Sequence, residues 1–160
     1  MNKLLNSLGI VITRDIKRRI REGKITPKSK SSGTTLVKSG KLHDSIHHVV
    51  SGEQVIVGTN LKYARILHEG GIIKPLSAKY LAIPLTSEAA TKKPREYQST
   101  FIQKNVIFRS LDNGEIEALY VLKKQVTIPA RPYMTITDDT WERMRRLTMD
   151  YIEKHVKRGN

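Results

Sequence analysis

Among the residues able to do chemistry, the histidines draw notice first, because His43, His47 and His48 fall within six positions with Asp44 between them. Imidazole nitrogens and carboxylate oxygens are donors that zinc accepts. On a helical turn His43 and His47 share a face, whereas on a strand His47 and His48 point oppositely. The spacing fits no metal motif, so these read as surface and strand histidines, and neither metal nor cofactor is expected. Hydrolysis needs a nucleophile with a base and an orienting group, or paired carboxylates. The acids stand singly except Asp138-Asp139, where a helix start needs caps. Cysteine is absent, and Gly70-Gly71 lacks the following Lys-Ser/Thr pair of a phosphate loop. No catalytic residue is expected, and the chain reads as a non-enzyme.

Arg131 has an unusual mounting in Val126-Thr127-Ile128-Pro129-Ala130-Arg131-Pro132-Tyr133. Each proline drives the preceding residue out of the helical region, so Ile128 and Arg131 are both biased to extended backbone. A stiffened arginine suits a bidentate contact with a carboxylate, or with the last carbonyls of a helix, within the fold or across a subunit boundary. The alternative is a rigid connector whose arginine faces solvent.

Charge narrows the partners further. The 160 residues hold 29 Lys and Arg against 15 Asp and Glu, a formal net charge of +14. Between Arg14 and Lys41 ten basic residues face only Asp15 and Glu22. Such a field favours nucleic acid, an acidic protein surface or anionic lipid without choosing among them. Arg18, Lys28 and Lys30 are the candidate contacts to DNA or to an acidic partner. No zinc-finger, helix-turn-helix or RNA-recognition pattern accompanies them, so any DNA contact is expected to be nonspecific. No run approaches the roughly 18 apolar residues that cross a bilayer, and no secretory apolar stretch is evident. A soluble protein made in a cytoplasm is expected, with no membrane partner.

The elements that must carry these residues follow from periodicity. Leu4, Leu5, Leu8, Ile12, Ile16 and Ile20 recur at helical spacing, predicting an amphipathic helix from about Asn2 to Glu22, ended by Gly23. The Lys- and Ser-rich stretch at 24–35 reads as a mobile loop. Ile46–Val50 and Val55–Val57 suit a hairpin, with Leu42 to Ile46 equally able to form a helical turn before it. A short helix is expected over Leu61 to Glu69, stopped by Gly70-Gly71, then a strand over Tyr80 to Ile83. Lys92 to Gln98 reads as an exposed loop, mobile over about 91–99. Asn113-Gly114 predicts a type I′ turn between Val106–Leu111 and Ile116–Leu122. Gln125–Ile128 extends that second strand or starts another. A last helix is expected from about Thr140 to Lys157, with Asp139 as N-cap, Glu142 three residues on, and Met144, Leu147 and Tyr151 along one stripe. The layout is α+β: terminal helices packed on a small antiparallel sheet with a short inserted helix, in one domain over 1–160.

Four of these pieces, in this order, resemble the phage virion morphogenesis family, which includes Mu-like and P2-like tail-completion proteins. They are Leu36 to Ile46 (with Ser39-Gly40-Lys41-Leu42), Val55 to Asn60 running into Tyr63-Ala64 and His68-Glu69-Gly70-Gly71, Tyr80 to Leu85, and Val126 to Tyr133. The resemblance implies a non-enzymatic component of the neck or tail end, found in the virion and in the host cytoplasm during assembly. It implies a homo-oligomeric ring that finishes the tail or joins it to the DNA-filled head. Approximate six-fold or twelve-fold order in the neck makes a hexamer the first expectation, with connector and tail proteins as neighbours. The family's recurring positions correspond to Gly40, Leu42, Ser45, Ile46, Gly58, Tyr63, Ala64, Gly70, Pro129, Arg131 and Pro132, as positions of fold and assembly. A basic nucleic-acid-binding accessory protein is the competing expectation. The stretch from Gly23 to Thr35 maps onto no family pattern.

Overall fold

The computed structural model describes residues 2–25 and 39–156. Most of the stretch read as a mobile loop, including Lys28 and Lys30, and the Leu36-Val37-Lys38 start of the first family segment lie outside them. The chain has an α+β architecture and separates into two compact units, one formed by the two terminal portions and one by the intervening Gly71–Ile128.

In the first unit the predicted helix α1 spans Asn2–Glu22 and buries Ile16 and Ile20. Gly23 ends it: Gly23 N–H reaches Ile20 O and Lys24 N–H reaches Arg19 O. Helix α2, Lys41–Ser45, takes up the helical-turn alternative and leads into strands β1, His47–Ser51, and β2, Gln54–Gly58, paired as an antiparallel hairpin. Helix α3, Ala64–Glu69, starts three residues later than expected, because a turn closed by Ala64 N–H on Leu61 O precedes it. After the second unit the chain returns as helix α4, Asp138–Val156. One core joins Ile16, Ile20, Ile25, Leu42, Ile46, Ala64 and Tyr133, with Ile12, Val57, Leu61, Leu67 and Met134 packed against it. Burying each such aliphatic side chain is worth about 1.5–3 kcal/mol, so this cluster organises the unit.

Two details of this unit bear on its packing, and the first departs from expectation. The N-cap of α4 is Thr137, not Asp139. Thr140 N–H donates to Thr137 Oγ1 at 3.3 Å, the two hydroxyls lie 2.9 Å apart, and Asp139 sits inside the first turn. The other is Gly9, buried on α1, where an added Cβ would stand 2.3 Å from Cδ2 of His48 on β1. That close approach needs a residue with no side chain, and it sets how tightly helix and hairpin pack.

In the second unit β3, Gly71–Ile73, pairs with β8, Val126–Ile128. Four further strands form an antiparallel sheet in the order β4, β7, β6, β5, namely Leu81–Pro84, Ile116–Lys123, Val106–Ser110 and Thr100–Gln103. Its core is Ala89, Tyr97, Ile107, Leu119 and Tyr120. The polar segment read as an exposed loop therefore holds a buried anchor, Tyr97, after a 3-10 turn at Pro94–Glu96. Tyr120 Oη holds the same segment by sharing its hydrogen between Ala89 O and Lys92 O.

Asn113-Gly114 is not a type I′ turn. Only Gly114 of the pair has positive φ, at 81°, and Leu111 N–H bonds Glu115 O while Gly114 N–H bonds Leu111 O. That register leaves three loop residues, for which a type I turn followed by a left-handed glycine is the favoured solution. The two-residue turn with both φ values positive lies instead at Lys104-Asn105, with 46° and 63°, between β5 and β6.

Candidate functional site

Helix α1 carries two kinds of basic residue. Arg19 is 9% exposed and Asp15 only 2%. Arg19 Nε donates to Asp15 Oδ2 at 2.9 Å, and its other nitrogens donate to Thr135 Oγ1 at 3.1 Å, Tyr133 O at 3.4 Å and Thr135 O. Arg18 Nη2 donates to the other carboxylate oxygen of Asp15 at 2.6 Å. Burial alone would raise the Asp15 carboxyl, but the hydrogen bond from Thr140 and the guanidinium groups of Arg18 and Arg19 hold it below the usual aspartate range. Because the Thr140 hydroxyl donates to Asp15, its 2.9 Å contact with the Thr137 hydroxyl takes Thr137 as the donor. A buried ion pair thus ties α1 to the segment entering α4. The signal was present as an aspartate and an arginine four apart, one position from the apolar stripe.

The other basic residues line a groove of about 510 Å³ bounded by α1, α2 and β1. Arg14, Lys17, Arg18 and Arg21 recur three or four apart along one side, Ile10 and Thr13 join them, and His43 and His48 stand opposite. Glu22, also at the groove, is held by Lys24 Nζ at 2.8 Å. The histidines do not converge. His43 lies between Asp44 Oδ1 at 2.6 Å and Arg21 Nη2 at 3.2 Å, while His48 meets Asn6 Oδ1 and Thr13 Oγ1. His47 turns to its neighbour Ser45 O, so the three rings serve three separate places. Among the described residues no three His, Asp or Glu side chains form a group able to hold a metal ion.

The proline-framed segment lies at the end of α3. Arg131 N–H donates to the terminal carbonyls Leu67 O at 3.0 Å and His68 O at 3.1 Å, and Tyr133 Oη donates to Ala64 O at 2.9 Å. The contact with helix-end carbonyls is therefore made by the main chain of Arg131. Its side chain is half-buried and has no hydrogen-bond or ion-pair partner among the described residues, and its Nε is fully buried. Arg18, Arg65, Arg109, Arg143 and Arg145 by contrast each meet a carboxylate.

The remaining family positions distribute as follows. Leu42, Ile46 and Ala64 enter the core beside Tyr133. Ser45 Oγ donates to Leu42 O and lies 2.6 Å from Thr59 Oγ1, joining α2 to the end of β2. Gly40 precedes α2 and accepts Asp44 N–H, and Gly70 N–H closes α3 on Ile66 O. Tyr63, Pro129 and Pro132 are exposed, and a Cβ on Gly58 would meet open space. Lys28 and Lys30 are outside the described residues, and Arg18 is engaged by Asp15.

Among the described residues no helix is long and apolar enough to cross a membrane. A family model described as the phage virion morphogenesis family matches residues 2–156. No curated protein and no solved structure gives a significant match.

Proposed function

The chain belongs to the phage virion morphogenesis family, and on that premise we propose that it is a non-enzymatic subunit of the virion neck, completing the tail end and joining it to the DNA-filled head as a homo-hexameric ring. Membership gives the protein a structural and assembly role in the virion. The observation that supports this reading is the family match, which runs over nearly the whole chain.

The surface supports it. A ring subunit presents two different faces to its neighbours, so apolar area must be exposed on separate elements of each copy. Val49 and Ile56 lie directly opposite one another on the β1–β2 hairpin, 52% and 56% exposed. Ile102 on the edge strand β5 is 66% exposed, and α4 leaves Trp141, Met149 and Ile152 about half exposed. Arg131, rigidly mounted and with no side-chain acceptor among the described residues, suits a carboxylate of an adjoining subunit or of a neighbouring neck or tail protein.

Native mass measurement and electron microscopy of the purified protein and of virions test this, with six-fold rings and localisation at the tail end expected. Absence from purified virions, together with normal tails in a strain lacking the gene, would sink it.

A further inference from the structure

We propose that the groove between α1, α2 and β1 is a docking site for an acidic, partly apolar peptide segment of another virion protein, rather than for nucleic acid or a second copy of this chain. The partner's origin rests on the assembly role above; the chemistry rests on the groove. Arg14, Lys17, Arg18 and Arg21 occupy about two turns of one helical face, a rise of about 10 Å. They fall into two pairs. Arg18 and Arg21 are held in place by Asp15 and His43. Arg14 and Lys17 have no partner among the described residues, so their charge is available to an incoming anion.

The complement is not this chain. The 26–38 sequence contains three lysines and no acid, and at +14 a second copy meets the groove with like charge. Nor does the shape suit duplex DNA. A groove of about 510 Å³ admits a peptide segment, whereas a double helix would rest on its rim. Ile10, 39% exposed among the cations, adds an apolar contact that a sugar-phosphate backbone does not use and a leucine or phenylalanine between carboxylates does.

The test uses the full chain and three fluorescent probes: a peptide of glutamates around a single leucine, the same peptide with glutamines, and a short DNA duplex. Peptide binding that weakens with salt is expected, about tenfold weaker in Arg14→Gln/Lys17→Gln and a few-fold weaker in Ile10→Ser. Lys124→Gln, in the other unit, is expected to leave it unchanged. Circular dichroism and melting of each variant separate lost binding from lost fold; if the double variant misfolds, Arg14→Gln alone carries the comparison, with about threefold loss. The proposal is overturned if the acidic peptide fails to bind at about 1 mM, or binds regardless of Arg14 and Lys17. Tighter binding of the duplex, indifferent to Ile10→Ser, makes the groove a phosphate surface and also overturns it. Self-association lost on substituting Arg14 and Lys17 would assign the groove to a second copy, with the same result. None of these outcomes depends on finding the protein in virions, so groove and neck assignment fail separately.

Discussion

Replacing Asp15 by asparagine removes one charge from a site that is 2% exposed and keeps the side chain's size. Breaking a buried ion pair from one side costs about 3–5 kcal/mol, because the surviving charge stays buried. Here Arg19 retains Thr135 Oγ1 and two carbonyls as acceptors, and asparagine keeps one oxygen in place. A loss of about 2–4 kcal/mol is therefore expected, or roughly 10 °C in melting temperature for a chain of this size. The pH dependence carries a sign. The Asp15 carboxyl is lowered in the folded state, so the unfolded chain takes up its proton first. The stability this group contributes is complete above the unfolded value near 3.9 and is lost as pH falls through the lower folded value. Wild type and Asp15→Asn should thus differ fully at neutral pH and converge on acidification below about pH 4. Urea unfolding, followed by circular dichroism at several pH values, measures both quantities. A difference under about 0.5 kcal/mol at neutral pH, or one unchanged down to about pH 2, would refute the role assigned to the pair.

Gly9→Ala sets a Cβ 2.3 Å from the His48 ring; a loss of about 1–3 kcal/mol in thermal or urea melts is expected, partly restored by adding His48→Ala. Thr137→Ala removes the α4 cap and should cost about 1 kcal/mol, whereas Asp139→Ala should cost less than half of that in the same melts. Lys104→Asn/Asn105→Gly matches side chains to two positive φ values and should stabilise by about 0.5–1 kcal/mol, read as a higher urea midpoint. Arg131→Lys leaves its main-chain bonds intact and discards a buried Nε that has no partner among the described residues, so melting should be unchanged or slightly higher while particle yield falls; unchanged yield would return Arg131 to a connector role.

What the sequence made legible was whatever rests on repetition. The apolar spacing of α1, the hairpin around Ser51-Gly52-Glu53-Gln54 and the stripe holding Met144 are local signals, and each appears where the pattern points. Strands β3 and β5 escaped notice because each is short and wholly exposed, and β3 is defined by pairing with β8, more than fifty residues away. The cap of α4 was misread because Asp139 and Glu142 imitate a capping box, whereas the choice belongs to Thr137 through its reach to Thr140. Likewise Asn113-Gly114 is the strongest hairpin dipeptide, yet cross-strand register decides how many residues the loop must hold. For the candidate site, periodicity places an apolar face and a cationic face on α1 and singles out neither Asp15 nor Arg19 as buried. Only the arrival of Thr135 and Thr140 from the far end of the chain turns Asp15 and Arg19 inward.

Gly71 and Ile128 face each other across the β3–β8 pair, so the intervening unit is a closed excursion that leaves and rejoins the rest of the chain at one point. The bond from Arg19 to Thr135 spans 116 residues, and forming the excursion first would shorten the effective loop by about half. Loop-closure entropy grows only logarithmically, so that halving is worth about 0.6 kcal/mol, or less than threefold in rate. Neither order of folding is then strongly favoured, and a lesion that melts Gly71–Ile128 should still allow the Asp15–Arg19 pair to form and hold the two terminal helices together.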